Sequence, residues 1–330
     1  MSAGSWPMLL EQTVGGATLG AGSHGSAPRD GTLADVVVAL ELRCGAGRRV
    51  SLSEEGGAGG EACGERGGAE GERRSEVEGE AAVAAGTAAN GSGGGRGGEG
   101  HGVSAPAAPP SLRAARVSLG VRGVAVSITL ECEPRYYVRR HVHTMDLAAF
   151  VARCDAMCEA YRHLWVWWAL GEPQLCACAL EDVGPAPAPG AARYDGENWY
   201  RGAPPLAAPR GEGEGDAAEP GPTARWVSLE YALPRAALAE LVATLGSAGF
   251  LAASGCAGKT LELKFVGGPG RAEQGVNADG PVVCANVLWR VALPAGWGRL
   301  AALERVLAGL GGRPHLGKCH GLATETFSLQ

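Results

Sequence analysis

Aromatic side chains are scarce in this chain of 330 residues: four Phe, six Tyr and eight Trp, 5% of the total. A core of any size must therefore be filled mainly by aliphatic groups. No apolar run approaches the roughly 20 residues of a membrane-spanning helix, so no transmembrane segment is expected. Met1 to Leu10 has neither a basic n-region nor an apolar stretch, which predicts neither a signal nor a transit peptide. The formal net charge is -6, and no basic stripe alternates with aromatics, which argues against nucleic acid as a partner. No internal repeat is visible. Zinc-finger spacing is missing too, since Cys154/Cys158 and Cys176/Cys178 have no second pair at a matching distance. With no secretory signal, the ten cysteines read as reduced and mostly buried thiols, and no metal site is expected.

Glycine is present in excess, 54 residues, and much of it falls in two low-complexity tracts. The first, 54–110, is rich in Gly, Ala, Glu and Arg and almost free of large apolar residues. Such a tract cannot bury enough surface to offset its ordering entropy, which predicts a disordered insertion. The second, 184–223, is rich in Pro, Ala, Gly and Glu and predicts a linker or insertion.

Between the tracts, short periodic segments stand out. Residues 34–42 and 48–53 read as strands joined by the glycines of 44–47, a hairpin signal. Helical character at 111–119 precedes a glycine break and a strand at 124–132. The spacing of Leu147, Phe150, Val151, Cys154, Cys158 and Tyr161 predicts a helix over 144–161, with Thr144 as its cap. Strands are expected at 164–168, 175–180, 225–233, 260–266 and 282–291. A helix should open at Pro234, preset for the first helical position, and a last helix should run over 297–310. Helices and strands mix without regular alternation, which predicts an α+β fold, an antiparallel sheet with helices over one face.

Three places hold residues suited to chemistry. In the strand 260–266, Leu261, Leu263 and Phe265 point one way and Thr260, Glu262 and Lys264 the other. Glu262 and Lys264 then form a base-and-cation pair able to orient a polyhydroxylated substrate, although an ordinary solvated strand face has the same pattern. After the last helix, the loop Gly311-Gly312-Arg313-Pro314-His315-Leu316-Gly317-Lys318-Cys319-His320 carries four basic side chains, counting both histidines. It is stopped by its glycines and kept from resuming by Pro314. It suits an anion or a polyol, but composition alone favours a solvated connector. Near the start, the glycines and hydroxyls of residues 14–26 would let a backbone approach a phosphate closely. His141 and His143 alternate in an extended stretch beside Arg139 and Arg140 without a carboxylate or thiol at ligand spacing, so they read as solvent-facing. Trp165, Trp167 and Trp168 read as core packing.

These segments resemble the sugar-1,4-lactone oxidases, the flavoproteins that oxidise arabinono-, gulono- and galactono-1,4-lactones. Residues 313–320 resemble that family's Arg-Pro-His-Trp-(Gly/Ala)-Lys-x-His signature, with Leu316 for its Trp. Glu262-Leu263-Lys264 resembles its Glu-x-Arg strand, with lysine in place of the two-pronged arginine. Residues 14–40, with Gly22, Ser23, His24, Gly25 and Ser26 at their centre, are similar to its flavin-binding segment. Residues 118–134, with Gly120, Gly123 and Val124, are similar to its next FAD-contacting loop and strand. Residues 161–168 and 226–235 resemble the opening strand and a strand-to-helix entry of its substrate domain, and the latter takes a structural role.

The resemblance implies a partial FAD-binding domain of the vanillyl-alcohol-oxidase/PCMH type, in residues 1–53 and 111–143, followed by a C-terminal lactone-oxidase domain, 144–330. It implies FAD as cofactor and an aldonolactone or polyol as substrate. The substrate would give hydride to the flavin as its adjacent hydroxyl loses a proton. Oxygen or cytochrome c would be the electron acceptor, and the location would be membrane-associated or mitochondrial. Glu262 would position substrate and Lys264 would stabilise developing negative charge. His315 and Lys318 would contact substrate beside the flavin, and residues 22–26, 120, 123 and 124 would hold FAD. The family's phosphate-loop half has no counterpart before Met8, and its final strand none before Gln330. The expected alternatives are thus a non-catalytic relic of the family, or a related alditol or sugar oxidase.

Overall fold

The computed structural model describes residues 7, 12–20, 22–44, 48–54, 110–195, 224–268, 270–292 and 297–321. The first low-complexity tract lies outside them apart from its end residues, as does 196–223 of the second.

A small sheet is built from β1 (Val37–Arg43), β2 (Arg49–Ser53) and β3 (Val124–Leu130), in the order β2-β1-β3 and antiparallel throughout. The hairpin expected at residues 34–53 is present. Its inward residues Val37, Leu40, Leu42, Val50 and Leu52 form a small core with Leu19, Leu112 and Ala115. Helix α1 (Leu112–Ala115) is a single turn, capped by the Ser111 hydroxyl on the Ala114 amide.

The main body is an antiparallel sheet of eight strands. Its members are β4 (Tyr137–Asp146), β5 (His163–Ala169), β6 (Gln174–Gly184), β7 (Ala191–Arg193), β8 (Ala224–Pro234), β9 (Thr260–Val266), β10 (Val282–Ala292) and β11 (Arg313–Pro314). Their order is β11-β8-β10-β9-β5-β6-β4-β7. Helices α2 (Leu147–Ala160), α3 (Leu238–Leu245), α4 (Ala248–Ser254) and α5 (Trp297–Gly309) carry side chains into one large core with the sheet. Val227, Leu229, Tyr231 and Leu233 of β8, Leu261, Leu263 and Phe265 of β9, and Val283, Ala285 and Val287 of β10 all point into that core. Because the side-chain period of a strand is two, the residues between them line the opposite face. That face carries Glu230, Glu262, Lys264, Cys284 and Asn286.

Four expectations need correction. Thr144 does not cap α2: it lies inside β4, and the N-cap is Asp146. The chain stays extended there because β4 pairs with β6 along its whole length. That pairing also moves the boundary between the two bodies, since Tyr137 already belongs to the large sheet. Pro234 ends β8 in an extended conformation instead of occupying the first helical position. The second tract starts later than its composition implies, because Ala191–Arg193 adds an edge strand to β4 and Tyr194 is buried.

The first segment is sewn onto the large sheet where β5 and β9 diverge. Ala27 bridges Val266 in parallel, Leu164 donates its amide to Ser26 (3.3 Å), and the Phe265 amide donates to the Ser26 hydroxyl (2.8 Å). Asp35 accepts from Thr32, Arg271 and Asn277. Arg162 reaches Asp30, Glu133 and Asp182 while lying over the Tyr136 ring. These bonds fix where the 22–26 segment sits over the sheet. Among the described residues, no single helix is long and apolar enough to cross a membrane.

Candidate functional site

The polar face of the large sheet converges on Glu230, a residue to which the sequence assigned only a structural role. Strand β8 places it opposite Asn286 of β10, which in turn lies opposite Glu262 of β9. One Glu230 oxygen accepts from His24 Nε2 (2.7 Å). The other accepts from Lys264 Nζ and from Lys318 Nζ, the latter at 2.7 Å. Lys318 also donates to Asn286 Oδ1 (2.7 Å), and Asn286 Nδ2 donates to Glu262 (2.6 Å). His315, held by its amide on the Glu230 carbonyl (2.9 Å), packs its ring 5.5 Å from that of His24. Four of the residues singled out from sequence, His24, Lys264, His315 and Lys318, thus meet around one carboxylate, and Glu262 is linked through Asn286. The signal for Glu230 was legible in hindsight: Ser228 and Glu230 alternate with Val227, Leu229 and Tyr231.

Burial and charge set the ionisation of this group. Burial works against the Glu230 anion, but Lys264, Lys318 and His24 outweigh it and hold the carboxyl well below its ordinary range. Burial likewise disfavours the Lys264 cation, and Glu230 with Glu262 overcomes that and raises its pKa. For Lys318 burial prevails and the pKa falls. Glu262 is raised, chiefly by burial, against the pull of Lys264, Asn286 and Lys318. Burial, assisted by His24 and the two lysines and opposed by Glu230, lowers His315 to about 3. His315 is therefore neutral near pH 7, and its Nδ1 accepts from the Gly317 amide (3.1 Å). The ring proton accordingly sits on Nε2, ready to donate.

Lys318 is the more open of the two ammonium groups, its side chain 21% exposed against 6% for Lys264. Lys264 lies on the Trp165 ring side, 5.8 Å from the centroid. Trp165 and Trp167 stack on this polar face at 5.4 Å, whereas Trp168 faces the helices. His24, Glu230 and Cys284 have ligand atoms within 4.8 Å of one another. Two lysines already occupy the Glu230 oxygen, and burial raises the Cys284 pKa, so the trio does not suit a dication.

The residues expected to hold a dinucleotide divide into two groups. Ser23 bonds Gln12, and Ser26 bonds the Leu164 carbonyl and the Phe265 amide. Gly22 has Val117 where a side chain would stand, and Gly123 has the Arg43 carbonyl and Cys44. Gly25 gives its carbonyl to His24 Nδ1 (2.8 Å), and Val124 is exposed. Gly120 is different. The Leu119 amide donates to the Leu19 carbonyl (3.0 Å), so the two glycine loops meet there. At Gly15, Gly20 and Gly120 nothing lies within 4 Å of the missing Cβ. Val117 and Leu119 beside them hold left-handed backbone, φ 51° and 53°, a costly conformation for non-glycine residues. Bare, strained backbone at a loop pair fits the close approach of a pyrophosphate.

No protein-family model and no curated protein sequence matches the chain. Solved structures do match. The crystal structure of cholesterol oxidase from B. sterolicum aligns over 97% of this chain and 66% of its own, with TM-score 0.58 and 13% identity. A histidine-to-alanine variant of cholesterol oxidase from Brevibacterium sterolicum aligns over 92% of this chain and 63% of its own, with TM-score 0.53 and 12% identity. The chain thus spans about two thirds of the length of these oxidases. At such identities the likeness is one of architecture: this is a mixed α/β chain with antiparallel sheets, similar in fold to cholesterol oxidase.

Proposed function

We propose that the chain is part of an FAD-dependent oxidoreductase that oxidises a CH–OH group, with an aldono-1,4-lactone or a related polyol as substrate. The observation that carries it is the position of Lys318, which the loop after α5 brings onto both Glu230 and Asn286 beside the largely buried Glu262. The likeness of fold to an oxidase and the resemblance of the 313–320 and 262–264 segments support it. FAD, when bound, supplies the hydride acceptor. Gly20 and Gly120 would meet its phosphates, where the Leu119 amide meets the Leu19 carbonyl beside the small sheet. An aldonolactone dehydrogenating system then needs an electron acceptor, oxygen or cytochrome c.

The chain's own residues have distinct tasks. Glu262 accepts the hydrogen bond, and then the proton, of the substrate hydroxyl. Lys318 faces the oxygen on which negative charge develops, with His315 Nε2–H as a second donor. Lys264, given a direct role by sequence, turns its ammonium to Glu230 and holds the carboxylate that orients Lys318. Lys318→Met should lower kcat about 10²–10³-fold, the loss typical of one preorganised donor, with flavin content unchanged. Purified folded protein that takes up no FAD, or a Lys318→Met variant as active as the parent, would sink this function. Faster turnover of xylitol than of galactono-1,4-lactone would select the alditol oxidase alternative.

The raised Glu262 pKa sets a pH dependence. A base must be ionised, so kcat/KM falls as pH drops through that pKa, and the acid limb is displaced upward from the ordinary glutamate value. Glu262→Gln should abolish the limb along with most of the rate. A limb that survives the substitution belongs to another group.

A further inference from the structure

We propose that Trp226 and Leu288 form a second subsite beside Glu262, and that the substrate is a glycosylated polyol or aldonolactone whose glycosyl ring lies on Trp226. The proposal rests on the oxidation described above and adds the size of its substrate. Neither residue has a part in that oxidation. Alternation along β8 and β10 puts Trp226, Ser228 and Glu230 on one face with Asn286, Leu288 and Arg290, since the residues between them enter the helix-covered core. Register then arranges that face in rows. The reactive row runs Glu230, Asn286, Glu262 and Trp167 across four strands. In the next row Ser228 stands opposite Leu288, and in the one after it Trp226 stands opposite Arg290.

The face is closed around Glu262 except toward those two rows. Trp167, opposite Glu262 on β5, is buried, and so are Trp165, Lys264 and Cys284 of the row on the other side. Along the free edge of β8 the loop carrying His315 and Lys318 hydrogen-bonds the strand as far as Ser228, where the Cys319 amide donates to the Ser228 carbonyl (2.9 Å). Toward the rim, Thr260 and Ser228 are half-buried and Arg290 is exposed. Leu288 is 54% exposed and Trp226 57%. Two residues of strand advance about 6.6 Å and adjacent strands lie about 4.8 Å apart, so Leu288 is roughly 8 Å from Glu262 and Trp226 roughly 16 Å, backbone to backbone. A single sugar unit held at Glu262 reaches Leu288 and stops short of Trp226. A second unit reaches it.

Single apolar side chains on a surface are ordinary. Two as neighbours, continuous with a polar site, mark a ligand surface. The chemistry around them selects a sugar. A pyranose ring has C–H groups on its face and hydroxyls at its rim, so the indole of Trp226 and the Leu288 side chain suit the first, and Ser228, Thr260 and Arg290 supply partners for the second. A fused apolar skeleton such as a sterol would cover those three polar side chains without bonding them, which is costly.

The test is calorimetric titration of the full chain, supplied with FAD, with sorbitol and with maltitol, its glucosylated counterpart. Maltitol should bind about tenfold more tightly, the scale of one aromatic platform, and Trp226→Ala should remove that advantage while sorbitol binds as before. Trp226→Phe should restore part of it, which a general loss of folding would not allow. Equal affinities for the two polyols in the parent, or an advantage that survives Trp226→Ala, overturn the subsite. Trp226-dependent binding of a soluble steroid in place of maltitol overturns its assignment to a sugar. Maltitol that binds through Trp226 and is never oxidised sustains the subsite and sinks the oxidation. Turnover of galactono-1,4-lactone with no preference for maltitol does the reverse.

Discussion

Glu230→Gln is expected to lower stability by about 3–5 kcal/mol, the range for removing one partner from a buried ion pair. The amide keeps the shape of the side chain but not its charge. Lys264, with its side chain only 6% exposed, then has no carboxylate at its ammonium, and Lys318 and His24 lose the same partner. Denaturant midpoints measure the loss. A second substitution separates charge from packing: Lys264→Met added to Glu230→Gln should recover part of it, since the uncompensated cation is gone. The acid side gives an independent check. The folded pKa of Glu230 is depressed, so its contribution is full above the ordinary carboxylate value and is lost as pH falls through the folded one. Parent and variant curves should therefore converge in acid. A loss below about 1 kcal/mol, the scale of an exposed pair, would mean that the cluster is solvated and is no organised centre.

How far the sequence led depends on how local each feature is. The alternation of residues 260–266 was legible because a strand's two faces follow from its period, and the structure places Leu261, Leu263 and Phe265 in the core as expected. What that alternation could not show is which strand lies beside it. A solvated face and a buried ionic centre have the same pattern, and they differ only in the arrival of Glu230 and Lys318 from elsewhere in the chain. Strand β4 was legible only as an extended stretch at His141 and His143, for a similar reason. Its Arg139, Arg140, His141 and His143 carry no apolar alternation, and it is extended because β6 pairs with it. The Thr144 cap failed with it, since a local capping preference gives way to a ten-residue strand. Glu181, whose Oε2 lies 2.9 Å from His141 Nε2, is 40 residues from it in sequence, and no local pattern could have joined them.

Gly267→Ala is expected to cost about 3 kcal/mol or more, beyond the usual range for an extra methyl group in a packed interior. The first segment is held to β9 by backbone alone at this point. The Gly267 amide donates to the Ala27 carbonyl (3.2 Å), and its own carbonyl accepts from Asn277 Nδ2 (2.7 Å). A methyl group here would overlap the Pro28 carbonyl oxygen and stand 2.6 Å from the Pro28 carbonyl carbon and 3.2 Å from the Arg29 nitrogen. None of these atoms is the end of a flexible side chain. Relief requires that residues 27–29 move off Val266, and His24, three residues upstream of Ala27, would then lose its place on Glu230. The variant should accordingly show both a lower denaturation midpoint and faster proteolysis within residues 22–35. Gly120→Ala is the control, because open space surrounds that position although its φ is +78°, and only the smaller conformational cost of about 1–3 kcal/mol applies. A Gly267→Ala protein as stable as the Gly120→Ala one would show that the first segment rests on the sheet loosely. The His24–Glu230 contact would then owe its position to the charges of the cluster and not to the backbone that delivers it.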